Sequence, residues 1–261
     1  MNKYVIYTSI TGGYDRLKQL SCVSPEFDYI CFTDSLLDGK NNGIWEMRPI
    51  PSVTDDKQRL SRYPKMHPHI LLPEYEYSVY VDAKLDIINP QLYNIIKEKI
   101  NRGVLLSGIR HEERVCVYDE FFAVFHLRKE TDCGLLKKEY SYLKKNGMPS
   151  RLGLYDACLI LRKHNNINIV AQNEMWWTLI NVFSKRDQLS YTFSLWKNKI
   201  PFDYFDDVVM SENNDYCRIV SHTGFLQNMS YVNKIKRRLY KRFVFKYVPI
   251  IRPLFYFYLN H

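Results

Sequence analysis

The stretch "YSVYVDAKLDI", residues 77–87, opens as an aromatic and β-branched run, breaks at Asp82, passes one small residue to Lys84, and turns apolar again. A run of that composition reads as a buried strand that ends at the carboxylate. Three more strand-like runs, at 4–9, 29–32 and 44–47, are each followed by Gly, Asp, Asn or Pro. Helical spacing of apolar residues appears at 91–101, 129–145, 167–183 and 187–196. Strands and helices in alternation predict one α/β domain with a mostly parallel twisted sheet flanked by helices.

In such sheets ligands bind beyond the carboxyl ends of the strands. Three polar segments are then expected on one rim: Thr11, Gly12 and Gly13 after the first strand, Asp34 after the second, and Asp82 with Lys84 after the fourth. At i and i+2 the last two would share a face if the strand continued. An isolated pair of this kind also fits a surface ion pair at a strand end. Upstream, Arg59, Arg62 and Lys65 cluster before the strand. Arginine forks match phosphate oxygens in pairs and lysine adds a point charge, so a diphosphate is the anion expected there. The bland alternative is a solvated basic loop.

Composition narrows the classes. With 261 residues and 46% hydrophobic content the chain can bury a core. The formal charge of +9 is local, since eight of the 37 Lys and Arg lie in 234–261, a span with no acid, leaving 29 (37 less 8) against 28 Asp and Glu. Six scattered cysteines suggest neither a zinc site nor a disulfide framework. No run reaches about 18 uninterrupted apolar residues, and the first residues read directly into a strand, so the expectation is a cytoplasmic protein.

The successive blocks "YTSITGGYD", "DYICFTD", "RYPKMHPHILLPEYEYSVYVDAKLDI", "HEERVCVYDE" and "FSKRDQLSY" together resemble the TOD/MUCI-type glycosyltransferase-like family, found in plant wall-polysaccharide proteins and bacterial surface-polysaccharide gene clusters. The resemblance implies a GT-A-like fold and a nucleotide-sugar donor, UDP- or GDP-linked, with a glycan acceptor. Such enzymes usually carry Asp-x-Asp at the fourth strand, holding Mn²⁺ or Mg²⁺ against the leaving diphosphate. Here Lys84 replaces the second Asp. Asp82 is therefore expected to take a donor hydroxyl while Lys84 stabilises the phosphates. The alternative is a metal held by Asp82, Asp86 and His222, because "SHTGF" resembles a late metal-site segment, although the spacing is His-x-Gly and not His-x-x-Gly.

Two further segments complete the expected site. "SGIRHEERVCVYDEF" supplies His111, Arg114, Asp119 and Glu120, residue types that hold sugar hydroxyls or act as a base, though an exposed charged helix start would look the same. "FSKRDQLSYTF" opens a helix with Ser184 as the expected cap and Asp187 and Gln188 in the first turn. The resemblance makes that pair the holder of the reacting sugar and Asp187 the candidate general base. Trp176 and Trp177 lie in an apolar helical pattern and are expected in the core.

The last segment, 231–261, is set apart from a domain spanning 1–230. On a helix, Ile235, Leu239, Phe243 and Tyr247 would form one stripe among Lys234, Arg237, Arg238, Lys241 and Arg242, the pattern of an anchor to an anionic membrane. The body holds no recognisable nucleic-acid module. The expected protein is a hexosyltransferase-like enzyme, peripheral at the inner face of the cell membrane, acting on a lipid-linked glycan in capsule or O-antigen synthesis. A ceramidase-like lipid amide hydrolase, an activity proposed within the resembling family, lacks a nucleophile elbow or clustered histidines here. A noncatalytic glycan-binding protein is the remaining alternative.

Overall fold

The run at 77–81 forms a strand whose five residues are all buried, and the rest of the domain is arranged around it. The computed structural model describes residues 2–13, 17–35, 41–201, 203–205, 215–219, 255 and 257. Its strands in chain order are β1 (Tyr4–Ile10), β2 (Phe27–Thr33), β3 (Asn41–Asn42), β4 (Trp45–Pro49), β5 (Tyr77–Val81), β6 (Leu85–Ile87), β7 (Leu106–Arg110), β8 (Tyr155–Arg162) and β9 (Cys217–Ile219). The helices are α1 (Lys57–Met66), α2 (Pro68–Leu71), α3 (Gln91–Asn101), α4 (Val117–His126), α5 (Cys133–Lys145), α6 (Ile167–Val182) and α7 (Asp187–Lys197).

Among the described residues the main sheet has seven strands in the order β3-β4-β2-β1-β5-β8-β7. Parallel pairing joins β4, β2, β1 and β5, while β8 runs against both β5 and β7, and β3 against β4. All but β3 and β8 therefore point the same way, which is the mostly parallel sheet that the sequence predicts. A small second sheet pairs β6 with β9.

Central strands buried on both faces need apolar residues at nearly every position, and β1 and β5 supply them. Ile6, Val79 and Val81 face Leu92 and Ile96 of α3. On the opposite face Val5, Tyr7 and Tyr80 pack with Leu60, Met66, Trp176 and Tyr191 from α1, α6 and α7. A third cluster joins α4, α5 and α7 through Phe121, Tyr140, Leu143 and Phe193.

Two helices depart from the sequence expectation. Residues 57–66, for which the sequence predicts no helix, form α1 despite Pro64 within it. Asp56 starts the helix by accepting the backbone N–H groups of Gln58 at 3.0 Å and Arg59 at 3.1 Å. The helix expected over 129–145 starts later, as α5 at Cys133, because Asp132 caps it by accepting from Leu135 N–H at 2.9 Å, and residues 129–132 are a loop after α4. Ser184 is not the cap of α7 either: Arg186 stands at that position, and the Ser184 hydroxyl accepts from Arg186 N–H and donates to Glu130.

Asp56 also pairs with Arg59 at 2.9 Å and Lys185 at 2.6 Å. Burial works against its charge, but the Lys185 hydrogen bond, the Arg59 backbone N–H and both cations prevail and bring it down to about 2. Its folded value lies below its unfolded one, so this group stabilises the fold above about pH 4 and loses that contribution as pH falls through about 2. Asp56→Ala is expected to cost about 1 kcal/mol in urea unfolding at pH 7, and the difference from wild type should vanish near pH 2 in an acid titration followed by circular dichroism.

No helix among the described residues is long and apolar enough to cross a membrane. In the terminal segment Phe255 is buried against Phe122 and Phe125, with ring centroids 5.3 and 5.1 Å apart. The stripe of Ile235, Leu239, Phe243 and Tyr247, and the basic residues around it, lie outside the described residues.

Candidate active site

The chain leaves β1 toward β2 and β4 on one side and returns to place β5 on the other. That reversal opens a crevice at the carboxyl ends of β1 and β5. Because β8 is antiparallel to β5 and β7 antiparallel to β8, the same rim receives the amino end of β8 and the carboxyl end of β7. Residues from all these ends meet there.

The centre of the group is Lys65, on α1 and only 2% exposed. Its ammonium lies 2.6 Å from Asp187 Oδ2 and 3.8 Å from Asp82 Oδ1, and rests over the rings of Tyr80 and Trp176. One helical turn away, Arg62 places Nε 3.3 Å from the same Asp187 oxygen. Lys84 reaches Asp82 Oδ2 at 3.5 Å across a tight turn, not along a continuing strand as the spacing suggests. Tyr80 donates its hydroxyl to Asp82 Oδ1 at 3.0 Å. Two carboxylates and three cations thus share one enclosure.

Beneath it sits Arg162, fully buried at the end of β8. Its guanidinium donates to Tyr7 Oη at 2.5 Å, the Lys65 carbonyl at 2.7 Å and Asn173 Oδ1 at 2.9 Å. These bonds fix the last turn of α1, and with it the direction of the Lys65 side chain. Trp176 donates its indole N–H to the Asp187 carbonyl at 2.9 Å and stacks on Tyr191, so it belongs to the core and also anchors the start of α7. Trp177 packs edge-on against Tyr63 and His67.

The electrostatics follow from this geometry. Burial opposes the Asp187 charge, yet Lys65 and Arg62 dominate and hold the carboxyl far below the usual range. Asp82 is lowered in the same way, burial being outweighed by Lys65, Lys84 and Arg62. Lys84 is raised, chiefly by Asp82, and burial raises the Tyr80 hydroxyl well above its normal value. With the Lys65 and Arg62 pairs in place Asp187 is the counter-ion of both cations, and those pairs oppose its taking up a proton.

A second group lies past β1. Gly12 and Gly13 both have positive φ, +62° and +61°, which explains two adjacent glycines at the turn. Gly12 N–H donates to Asp34 Oδ1 at 3.0 Å, Lys57 pairs with Asp34 Oδ2 at 2.8 Å, and Thr11 donates to the Lys57 carbonyl at 2.8 Å. The Thr11, Gly12 and Asp34 segments therefore meet as expected. Arg59 does not join them: its guanidinium bonds the carbonyls of Ile180 and Phe183 at the end of α6, and Asp56.

His111 and Glu120 border the rim, but both are committed. Burial, then Arg114, lowers the His111 imidazole; its Nδ1 faces the N–H groups of Glu113 and Arg114, and its Nε2 lies 2.8 Å from Arg114 Nη2. Glu120 is fully buried and accepts from Arg114 Nε at 2.5 Å. This set holds the 111–120 segment in shape. Gln188 donates to the Tyr155 carbonyl at 3.0 Å, tying the start of α7 to the start of β8.

The family model for the TOD1/MUCI70, glycosyltransferase-like domain matches residues 2–224. This chain belongs to that family. "Probable hexosyltransferase MUCI70" of Arabidopsis thaliana is 28% identical over 214 residues, covering 72% of this chain and 36% of its own length. The chain therefore spans little more than a third of that relative. Among solved structures, the apo WbbM bifunctional glycosyltransferase aligns with a TM-score of 0.45 and 10% identity, over 92% of this chain and 44% of that one.

For this member of the TOD1/MUCI70 family, the divalent cation that a GT-A-like site usually holds does not fit the side chains present. Asp82 carries a lysine on each oxygen. Asp86 is filled by Ser21 N–H at 2.7 Å, Ser21 Oγ at 2.8 Å and Arg218 at 2.6 Å. His222 lies outside the described residues. Among those described, no three His, Cys, Asp or Glu side chains are grouped to hold a metal ion.

Sequence reasoning missed Arg162, Lys57 and Asp156. Asp156 stands in register with Ile109 where the β7–β8 ladder shifts, and it acts electrostatically on both Lys84 and His111. Its signal was a carboxylate opening the apolar run "YDACLILR", which reaches the rim only because β8 is antiparallel.

Proposed function

We propose that this chain is a glycosyltransferase that moves a hexosyl group from a nucleoside diphosphate sugar, UDP- or GDP-linked, to a hydroxyl of a glycan acceptor. The observation that carries this reading is the convergence of Lys65, Lys84 and Arg62 with Asp82 and Asp187 at the β1/β5 crevice. Membership of a glycosyltransferase-like family supports it. In transfer, the bond from the sugar C1 to the diphosphate oxygen breaks and leaves its electron pair on that oxygen. The acceptor oxygen bonds to C1 and gives up its proton to the departing diphosphate oxygen. Lys84 and Arg62 stabilise the charge that develops on the diphosphate, and Asp82, Asp187 and Gln188 hold sugar hydroxyls. The Gly12 turn with Asp34 and Lys57 receives the nucleoside end.

A thermal-shift panel tests this. At about a hundred times its dissociation constant a ligand adds about 2.7 kcal/mol, so UDP- or GDP-sugars should raise the melting temperature while the free nucleosides do not. Absence of stabilisation by every sugar nucleotide would overturn the reading.

The finer parts rest on the tail and on the resemblance. We propose that the basic residues of 231–261 bind the anionic inner face of the cell membrane, each Lys or Arg near the surface contributing about 1 kcal/mol, while Phe255 of the same segment packs on Phe122 and Phe125 of the domain. A lipid-linked intermediate of surface polysaccharide, capsule or O-antigen, is the acceptor class that such a location favours. Deleting 234–261 should release the protein from phosphatidylserine vesicles in a sedimentation assay; equal binding by the shortened chain would contradict the anchor.

A further inference from the structure

The carboxylates of the crevice are each met by protein cations, and two of those cations, Lys84 and Arg62, are partly open. Asp82 has Lys65 and Lys84 on its two oxygens and the Tyr80 hydroxyl besides. Asp187 Oδ2 has Lys65 and Arg62. Asp86, four positions past Asp82, is saturated by Ser21 and Arg218. A divalent ion placed on Asp82 or Asp86 would have to displace an ammonium or guanidinium, and one on Asp187 would sit beside both Lys65 and Arg62.

We infer that this site carries its leaving diphosphate on Lys84 and Arg62 alone, with Lys65 and Arg162 as a buried positive base, and needs no divalent metal for donor binding or transfer. The inference rests on the donor being a nucleoside diphosphate sugar. Lys84 and Arg62 are the exposed members, at 31% and 22% of their side-chain surface, against 2% for Lys65. They are the groups that an entering phosphate can reach. Lys65 is turned inward, its ammonium held by Asp187 at 2.6 Å. Counting the groups that act on this enclosure, Arg62, Lys65, Lys84 and Arg186 stand against Asp82, Asp156 and Asp187. Four cations against three carboxylates leave an excess of positive charge for a ligand with one negative charge on each phosphorus. Lys84 stays an ammonium through the neutral range, since Asp82 raises it.

The test is calorimetric titration of the full chain with UDP and with GDP, in chelator and in Mn²⁺ or Mg²⁺. The dissociation constant of the nucleotide that binds should be the same in both buffers, within about twofold. Lys84→Met should weaken that binding about tenfold or more, Mn²⁺ should not restore it, and Lys84→Arg should retain it. Lys84→Asp, which restores the Asp-x-Asp spacing, should make binding depend on Mn²⁺. Wild-type binding that disappears in chelator overturns the inference, as does Lys84→Met binding as tightly as wild type. Absence of binding by either nucleotide in every buffer would overturn the nucleotide-sugar reading itself, and this inference with it.

Discussion

Lys65→Met should destabilise the protein by about 3–5 kcal/mol and abolish transfer. The cost arises because Asp187, 9% exposed, loses its 2.6 Å partner and is left as a buried carboxylate with Arg62 alone at 3.3 Å. Methionine fills most of the volume, so packing against Tyr80 and Trp176 changes little, and the loss reports the charge. Adding Asp187→Asn to that variant removes the stranded carboxylate and should recover most of the stability in urea unfolding. Transfer should stay absent in the double variant, because the buried cation and the sugar-holding carboxylate are both gone. Recovery of activity together with stability would mean that Lys65 serves only the fold.

Arg162→Met should lower both stability and donor affinity although residue 162 touches no ligand. Tyr7 Oη and Asn173 Oδ1 would be left buried without their donor, and the Lys65 carbonyl would keep only the Tyr7 hydroxyl at 3.5 Å. At about 1 kcal/mol or more for each orphaned group, the expected loss is roughly 2 kcal/mol. The last turn of α1 would loosen and the Lys65 ammonium would lose its fixed direction, so KM for the donor should rise more than kcat falls. Arg162→Lys, which keeps the charge and part of the bonding, should restore KM in part. A purely structural role would lower the amount of folded enzyme and leave KM unchanged.

The part of this fold that can be read in the sequence is the part where one physical signal is undivided. In β5 the apolar run is uninterrupted because both faces are buried, and Asp82 marks its end without ambiguity. The loops after β1, β2 and β5 were expected on one rim because parallel strands put their carboxyl ends together, and they are found there. Where two signals compete, the sequence misleads. Pro64 and the charges around it masked α1, whose Asp56 cap and buried Leu60, Lys65 and Met66 hold it as a helix. The stretch 129–145 read as one helix, but residues 129–132 are loop and the helix starts only where Asp132 caps α5.

The candidate site was legible in membership more than in wiring. Arg62, Lys65, Asp82, Lys84 and Asp187 were all picked out, yet nothing local could pair Lys65 with Asp187, 122 positions away. That pairing makes the candidate base Asp187 the counter-ion of a buried lysine. Arg162 gave no signal, since an arginine closing an apolar run normally marks a strand leaving the core. Arg59 gave the opposite error: it resembles its neighbour Arg62 in sequence, but faces α6.

The central claim is that one crevice between β1 and β5 receives a nucleoside diphosphate. A crystal structure of the protein with the tightest-binding UDP- or GDP-sugar measures this directly. The expected result places diphosphate oxygens within about 3 Å of Lys84 Nζ and an Arg62 guanidinium nitrogen, with the nucleoside toward Gly12 and Asp34. Density for the diphosphate on any other face of the domain, with Lys84 and Arg62 still paired only to Asp82 and Asp187, would contradict the account.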